Sequence, residues 1–265
     1  MNTANITKKR IAEFLKQGKR FDGRKPEDFR KVEITYGVSD KAEGSAKVKV
    51  GKTEVIVGIK LSVGEPYPDS ADKGNLITSA EILPMSSSRI ELGKPLYEAI
   101  ELGRVVDRGI RESGFIDFKK LCIKEGEKVW NVNVDIYTIN DDGNLMDASG
   151  IGAIAALMNT QMPKYDEETE RVNYDERSGA FPVTDKLPLT ISLYKVGDKF
   201  LVDPTREEED ASTSRLTLGA TEKGISSAQK SNESSVTVDE LSEALDLMEK
   251  AWKGLHDQIK KQLKR

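Results

Sequence analysis

The sequence predicts an α/β protein. Three observations carry this: apolar residues alternate with polar ones at period two in three regions, they recur at helical spacing in four others, and no apolar run of 18 residues is present. Helical and strand patterns alternate along the chain, as expected for mixed layers packed on one another.

The first pattern places Ile6, Ile11, Phe14 and Leu15 on one side of a short amphipathic helix over about 5–18, with Gly18 as its C-cap. Ala46, Val48 and Val50 alternate with lysines up to Gly51-Lys52, after which Val55, Val57, Ile59 and Leu61 alternate again, which predicts a hairpin with a tight glycine turn. The stretch from Gly64 to Gly74 holds two prolines and reads as a shaped loop. Pro95 at N1 opens a helix to about 112, with Leu96, Ala99, Ile100, Gly103, Val106 and Ile110 on its apolar side. Trp130, Val132, Val134 and Ile136 form a half-buried strand, and a small-residue helix follows over about 150–160. Leu187, Leu189, Ile191 and Leu193, then Phe200 and Val202, flank Gly197-Asp198 in a second hairpin that delivers an acidic run to a loop. Ser226 to Ser235 reads equally as a connector or as an edge strand. The last helix, over about 237–263, opens with a Thr237-to-Glu240 capping box and repeats Leu241, Leu245, Met248, Trp252, Leu255 and Ile259. Trp252 is expected in the core, His256 on the exposed flank of the helix, and the terminal lysines and Arg265 in solvent.

Composition narrows the function. With 41 Lys plus Arg against 45 Asp plus Glu, the chain carries a net charge of −4, so any contact with a polyanion must be local or come from a partner. Cys122 and His256 are each alone, which excludes an intramolecular disulfide and a Cys/His metal site. The absence of a signal-like segment and of disulfides leads to the expectation of a cytoplasmic protein with no membrane partner. Charged residues make up 32% of the chain, as in a heavily solvated or heat-adapted surface.

Two motifs carry the chemistry. Asp203-Pro-Thr-Arg-Glu-Glu-Glu-Asp210 is followed by Arg215, and Met146-Asp-Ala-Ser-Gly-Ile-Gly152 precedes the small-residue helix. The first resembles the D-x-x-x-E-E-D-x(4)-A-D-M segment of the RNase PH family, which shortens RNA from its 3′ end with phosphate. Asp203, Glu207, Glu208 and Asp210 match, but Arg215 stands where the last acid belongs. A guanidinium is neither a general acid nor a metal ligand. The second motif lies where active members carry A-D-G-G-T-R-T, so Gly150 and Ile151 replace a threonine and an arginine that receive the phosphate. Arg20-Phe-Asp-Gly-Arg24, Glu65-Pro-Tyr-Pro-Asp69 and Ile100 to Ser113 resemble one branch of that family, the non-catalytic subunit of the archaeal exosome.

The resemblance implies an RNase PH-like fold, a duplicated βαβα unit of the ribosomal protein S5 domain 2-like type. One domain would span 1–265, with halves at about 25–125 and 126–235 between the terminal helices. It implies a catalytic RNase PH-like partner, three heterodimers in a hexameric ring, S1- or KH-type caps and single-stranded RNA. This chain would bind no cofactor or metal and would have no catalytic residue. Inorganic phosphate would be the co-substrate, with Mg²⁺ belonging to the partner's site. The alternative is a self-sufficient phosphorolytic exoribonuclease using Asp203, Glu208 or Asp210.

RNA would meet the helix at 95–112. At about 100° per residue, Arg104, Arg108 and Arg111 fall in a sector of roughly 60° beside its apolar face. Read from the residues alone, these arginines pair with Glu98, Glu101 or a neighbouring chain. The resemblance makes them RNA contacts, a task for which the planar fork of arginine is suited.

Overall fold

The computed structural model describes residues 3–91, 93 and 96–263, so Pro95 and the Lys264-Arg265 end lie outside the described residues. Helix α1 (Asn5–Lys16) buries Ile11 and Leu15, and Gly18 follows it at a φ of +70°. Ile6, expected on the apolar side, is 72% exposed, and the buried face of the helix runs through Ile11 and Leu15.

The first sheet is built from β1 (Val32–Tyr36), β2 (Gly44–Val50), β3 (Thr53–Gly64), β4 (Asn75–Ile82), β5 (Cys122–Lys124) and β6 (Lys128–Asn140). Its order is β1-β2-β3-β6-β4, with β5 added to β6, and β4 alone runs parallel to its neighbour. The expected hairpin is β2–β3 in the register Val48↔Val55, with Gly51 at a φ of +61° in its turn. The loop after β3 is held by Asn75, whose amide donates to Glu65 O at 2.9 Å, and by Gly126 N–H to Ala71 O at 2.9 Å.

Helix α2 (Tyr97–Arg111) turns Ala99, Leu102, Gly103, Val105, Val106, Gly109 and Ile110 inward. Ile100 is 52% exposed, contrary to the expected stripe, because the buried face runs through Leu102 and Val105 instead. Helix α3 (Leu145–Met158) starts earlier than its composition predicts, so the Met146–Gly152 run is helix rather than a turn before one. Every residue from Met146 to Leu157 is buried. A Cβ on Gly152 would lie 2.8 Å from Val57 Cγ2 of the first sheet, and one on Gly150 would lie 2.6 Å from Thr190 Oγ1 of the second. The helix is therefore buried all round, with glycine where it approaches each sheet: it is pressed between two sheets and has no exposed face to encode.

A two-stranded ribbon, β7 (Gln161–Asp166) and β8 (Arg171–Ala180), precedes the second sheet. That sheet comprises β9 (Leu189–Val196), β10 (Lys199–Val202), β11 (Ser214–Thr221) and β12 (Gly224–Ser231), antiparallel in the order β10-β9-β11-β12. Gly197 turns the expected hairpin at a φ of +61°. The serine-rich segment resolves into edge strand β12 as far as Ser231. Between β10 and β11 the acidic run forms a short helix, α4 (Arg206–Ala211), not a loop, because Thr205 caps it and Glu208 bonds back to the Thr205 N–H at 2.9 Å.

Helix α5 (Val238–Lys260) has the expected cap, Thr237 Oγ1 accepting from Glu240 N–H at 3.3 Å. The turn after it covers the open edge of β1: Gln262 accepts from Ile34 N–H at 3.1 Å and donates to Val32 O at 2.9 Å. Trp252 donates to Ala220 O at 3.2 Å. His256 departs from the exposed position expected of it. It is 8% exposed and stacked on Trp252 one turn back, with ring centroids 4.6 Å apart. No described helix is long and apolar enough to cross a membrane.

Candidate functional site

The acidic run is almost wholly engaged by arginines of this same chain. Asp203, fully buried at a φ of +45°, accepts from Arg30 N–H at 2.7 Å, Arg30 Nη2 at 2.7 Å, Arg24 Nη1 at 2.8 Å and Asn144 Nδ2 at 2.8 Å. Glu208 takes a two-pronged bond from Arg20, Nε at 2.9 Å and Nη2 at 2.6 Å, while the same guanidinium donates to Val202 O and Asp203 O. Asp210 is forked by Arg89, with bonds of 2.8 and 2.7 Å, and accepts from Thr3 and Arg206. Burial alone would raise Asp210, but Arg89, Thr3 and Arg206 hold it well below the usual carboxylate range. Glu209 accepts from Asn144 N–H at 3.1 Å, so a carboxylate sits at the positive end of α3. Glu207 is exposed.

The two arginines of the Arg20–Arg24 motif thus neutralise two acids of the 203–210 run. Both carboxylates are thereby ion-paired within the chain. Arg30 and Arg89 escape sequence reading, since they lie 173 and 121 positions from their acids. The Thr205-to-Glu208 capping box was visible as a T-x-x-E pattern, and it ties Glu208 to its own helix.

Arg215 completes the picture on β11. Its Nη2 lies 2.7 Å from Glu101 Oε1 of α2, with side chains 13% and 10% exposed. Gln229 at 3.0 Å and Ser231 donate to the same oxygen. Burial opposes the charge on Arg215, yet Tyr194 and Glu101 keep its pKa above the ordinary guanidinium value. Burial likewise pulls Glu101 up, but Ser231 and Arg215 hold it low.

These groups wall a cavity of about 420 Å³. Lys8, Arg89, Arg206 and Arg215 face Glu98, Glu101, Asp141, Glu209 and Asp210 in its lining. Four cations set against five carboxylates leave no positive surplus for a phosphate. Gly150 and Ile151 do not reach it: Ile151 is a core residue and Gly150 packs against Thr190. The adjacent Asp147 is completely buried, and burial pushes its carboxyl up to about 7 despite a bond from Ser192 N–H at 3.1 Å. Among the described residues, no group of three or more His, Cys, Asp or Glu could hold a metal ion.

The arginines of α2 separate. Arg111 is tied down, with Nε and Nη2 each 2.9 Å from the Asp107 carboxylate and Nη2 also donating to Leu76 O at 2.9 Å. Arg104 and Arg108 are exposed and have no hydrogen-bond or ion-pair partner among the described residues. Both line a cleft of about 310 Å³ with Thr78, Asp107, Arg111 and Glu112. Neither Glu98 nor Glu101 pairs with them; Glu101 is engaged by Arg215.

Two stacked sheets around a buried small-residue helix, with an acidic run turned inward beside them, define the class. The chain belongs to the 3′ exoribonuclease family, RNase PH, whose domain 1 model matches residues 28–163 and whose domain 2 model matches 186–251. It is 49% identical over 247 residues to the exosome complex component Rrp42 of Thermococcus onnurineus, covering 92% of this chain and 90% of that one. The Archaeoglobus fulgidus exosome with RNA bound to the active site contains a chain of the same fold, with a TM-score of 0.83, 46% identity, and coverage of 92% of this chain and 93% of that one. An archaeal exosome core gives a TM-score of 0.83 at 43% identity over 97% of both chains.

Proposed function

We propose that the chain is a non-catalytic subunit of an archaeal-type, cytoplasmic exosome. It pairs with a catalytic RNase PH-family subunit, three pairs closing a hexameric ring under S1- or KH-type caps. Its part is to hold single-stranded RNA and shape the neighbouring active site. There, a phosphate oxygen attacks the last phosphodiester and releases a nucleoside diphosphate. Head-to-tail ring contacts call for complementary edges, which two homologous but different subunits supply. The relatives' names and the likeness to exosome cores support the assembly; the inward-turned site supports the division of labour.

The observation that carries this reading is the Arg215–Glu101 pair. The position where the family resemblance calls for an acid holds a buried cation already bonded within the chain. Arg104 and Arg108 supply the complementary half, two exposed guanidiniums suited to phosphodiesters. The test is to give the purified chain single-stranded RNA, inorganic phosphate and Mg²⁺ and measure nucleoside diphosphate. No release above background is expected from the chain alone, with release restored on adding the catalytic subunit. Sustained release by the chain alone, abolished by Asp210→Asn, would overturn the proposal in favour of a self-sufficient exoribonuclease.

A further inference from the structure

Four charged groups of α2, Glu101, Arg104, Arg108 and Arg111, recur at spacings of three and four residues. The outer two are bound into the fold while the inner two are not. Glu101 is anchored to the second sheet through Arg215 of β11 and through Gln229 and Ser231 of β12. Arg111 is anchored to β4 through Leu76 O, and its partner Asp107 also accepts from Thr78 Oγ1 at 3.3 Å. Two glycines seat the helix between the same two sheets. A Cβ on Gly103 would lie 3.2 Å from Thr78 O, and one on Gly109 would lie 3.8 Å from Thr190 Oγ1 and 3.9 Å from Ser227 Oγ. Groups three and four apart share a helix side. The Glu101 anchor therefore precedes Arg104 by one turn, and the Arg111 anchor follows Arg108 by one.

We propose that Arg215 and Arg111 are positioning residues: the Arg215–Glu101 and Arg111–Asp107/Leu76 locks fix the height and rotation of α2, so that Arg104 and Arg108 present their guanidiniums together to RNA. The inference rests on the reading of Arg104 and Arg108 as RNA contacts. It gives the arginine at the degenerate catalytic position a task of its own. A lone exposed arginine must lose side-chain freedom to bind, and a helix that is itself fixed reduces what remains to be ordered. Arg111, despite lying in the same sector, contributes through the helix and not by contact.

The experiment is a double-mutant cycle on the complete complex, the chain co-expressed with the catalytic subunit of its own organism and checked by intact mass. The probe is a single-stranded oligoribonucleotide, read as Kd over a salt series and as KM and kcat for phosphorolysis. Arg215→Met is expected to raise Kd and KM on the order of five-fold, the scale of coupling between neighbouring groups, with kcat unchanged. Arg215→Lys, which keeps a cation against Glu101, should recover most of that loss. In an Arg104→Ala/Arg108→Ala background, Arg215→Met should add nothing. If Arg215→Met fails to assemble, Glu101→Gln takes its place in the cycle with the same expectation. Additive losses, or an unchanged Kd in an assembled variant, would overturn the positioning role. An Arg104→Ala/Arg108→Ala pair that binds RNA like the parent removes the RNA contact itself, and the locks then have nothing to position.

Discussion

Two charged clusters of this chain look equally functional in sequence, the acids from Asp203 to Asp210 and the arginines of α2. They have opposite fates in the fold. Asp203, Glu208 and Asp210 turn inward onto Arg24, Arg30, Arg20 and Arg89. Arg104 and Arg108 face a cleft with no partner among the described residues. Residue type is thus a poor guide to chemistry unless the partner is known. A carboxylate met by arginines of its own chain is already committed within the fold, whereas a guanidinium without a carboxylate among the described residues is open to a ligand.

The sharpest way to break this contrast is Asp203→Ala. It leaves the half-buried Arg24 and Arg30 without their shared, fully buried carboxylate, and removal of one side of a buried pair costs about 3–5 kcal/mol. At roughly 2–4 °C per kcal/mol for a chain approaching this size, thermal unfolding should drop by about 10 °C. An unchanged melting temperature would return the acid to the solvated, potentially catalytic class.

A second test uses Asp147, the buried acid pushed up to about 7. Its folded pKa is raised above its unfolded value, so the stability it contributes is fully present below about pH 4 and is lost as pH rises towards 7. Asp147→Asn should abolish that part of the decline, making the variant more stable than the parent at pH 8 by up to a few kcal/mol. Asp210 has the opposite sign: its depressed pKa gives stability that is present above about pH 4 and lost as pH falls. Denaturant titrations at about pH 2, 4, 6 and 8 separate the two, the Asp210 loss falling below about pH 4 and the Asp147 loss above it, and parallel pH profiles for parent and Asp147→Asn would refute the assignment of Asp147.

On the open side of the comparison, Arg104→Ala and Arg108→Ala should each lower the slope of log affinity against log salt by about 0.7. Folding stability should stay within about 0.5 kcal/mol, since neither residue has a partner to lose among the described residues. RNA titrations across salt on the assembled complex check the first, and melting curves the second. The smallest effect belongs to Glu207→Gln. This acid matches the family pattern yet is exposed and unpaired among the described residues, so both stability and phosphorolysis by the complex should match the parent within about 0.5 kcal/mol.

The sequence disclosed the two hairpins, the capped last helix and both motifs, because period-two alternation around Gly51 and Gly197 and the Thr237-to-Glu240 box are local signals. It hid the start of α3, where Gly150, Gly152 and the alanines face sheets on both sides and leave no amphipathic phase. It hid β8 for the reverse reason, since a strand exposed on nearly every residue has no apolar period. His256 was misplaced because stacking on Trp252, not polarity, decides its burial. The site was half legible. Arg20–Arg24 and Asp203–Asp210 both stood out, but Arg24 and Asp203 are 179 positions apart and nothing local says that one answers the other. Arg111 shares a helix side with Arg104 and Arg108, and only three dimensions reveal that Leu76 O and Asp107 already hold it.

The close fit of α3 against β9 leaves little room at positions 150 and 151. A threonine at position 150 would drive its Cβ to 2.6 Å from Thr190 Oγ1 and 3.0 Å from Thr190 Cβ. An arginine at position 151 would have to place a charge where Ile151 lies in the core. Each of these larger side chains is barred by a neighbour that fits the residue in place. Installing the threonine and arginine together would need several compensating substitutions, the first of them destabilising, so this packing acts as a ratchet that holds α3 to its present sequence.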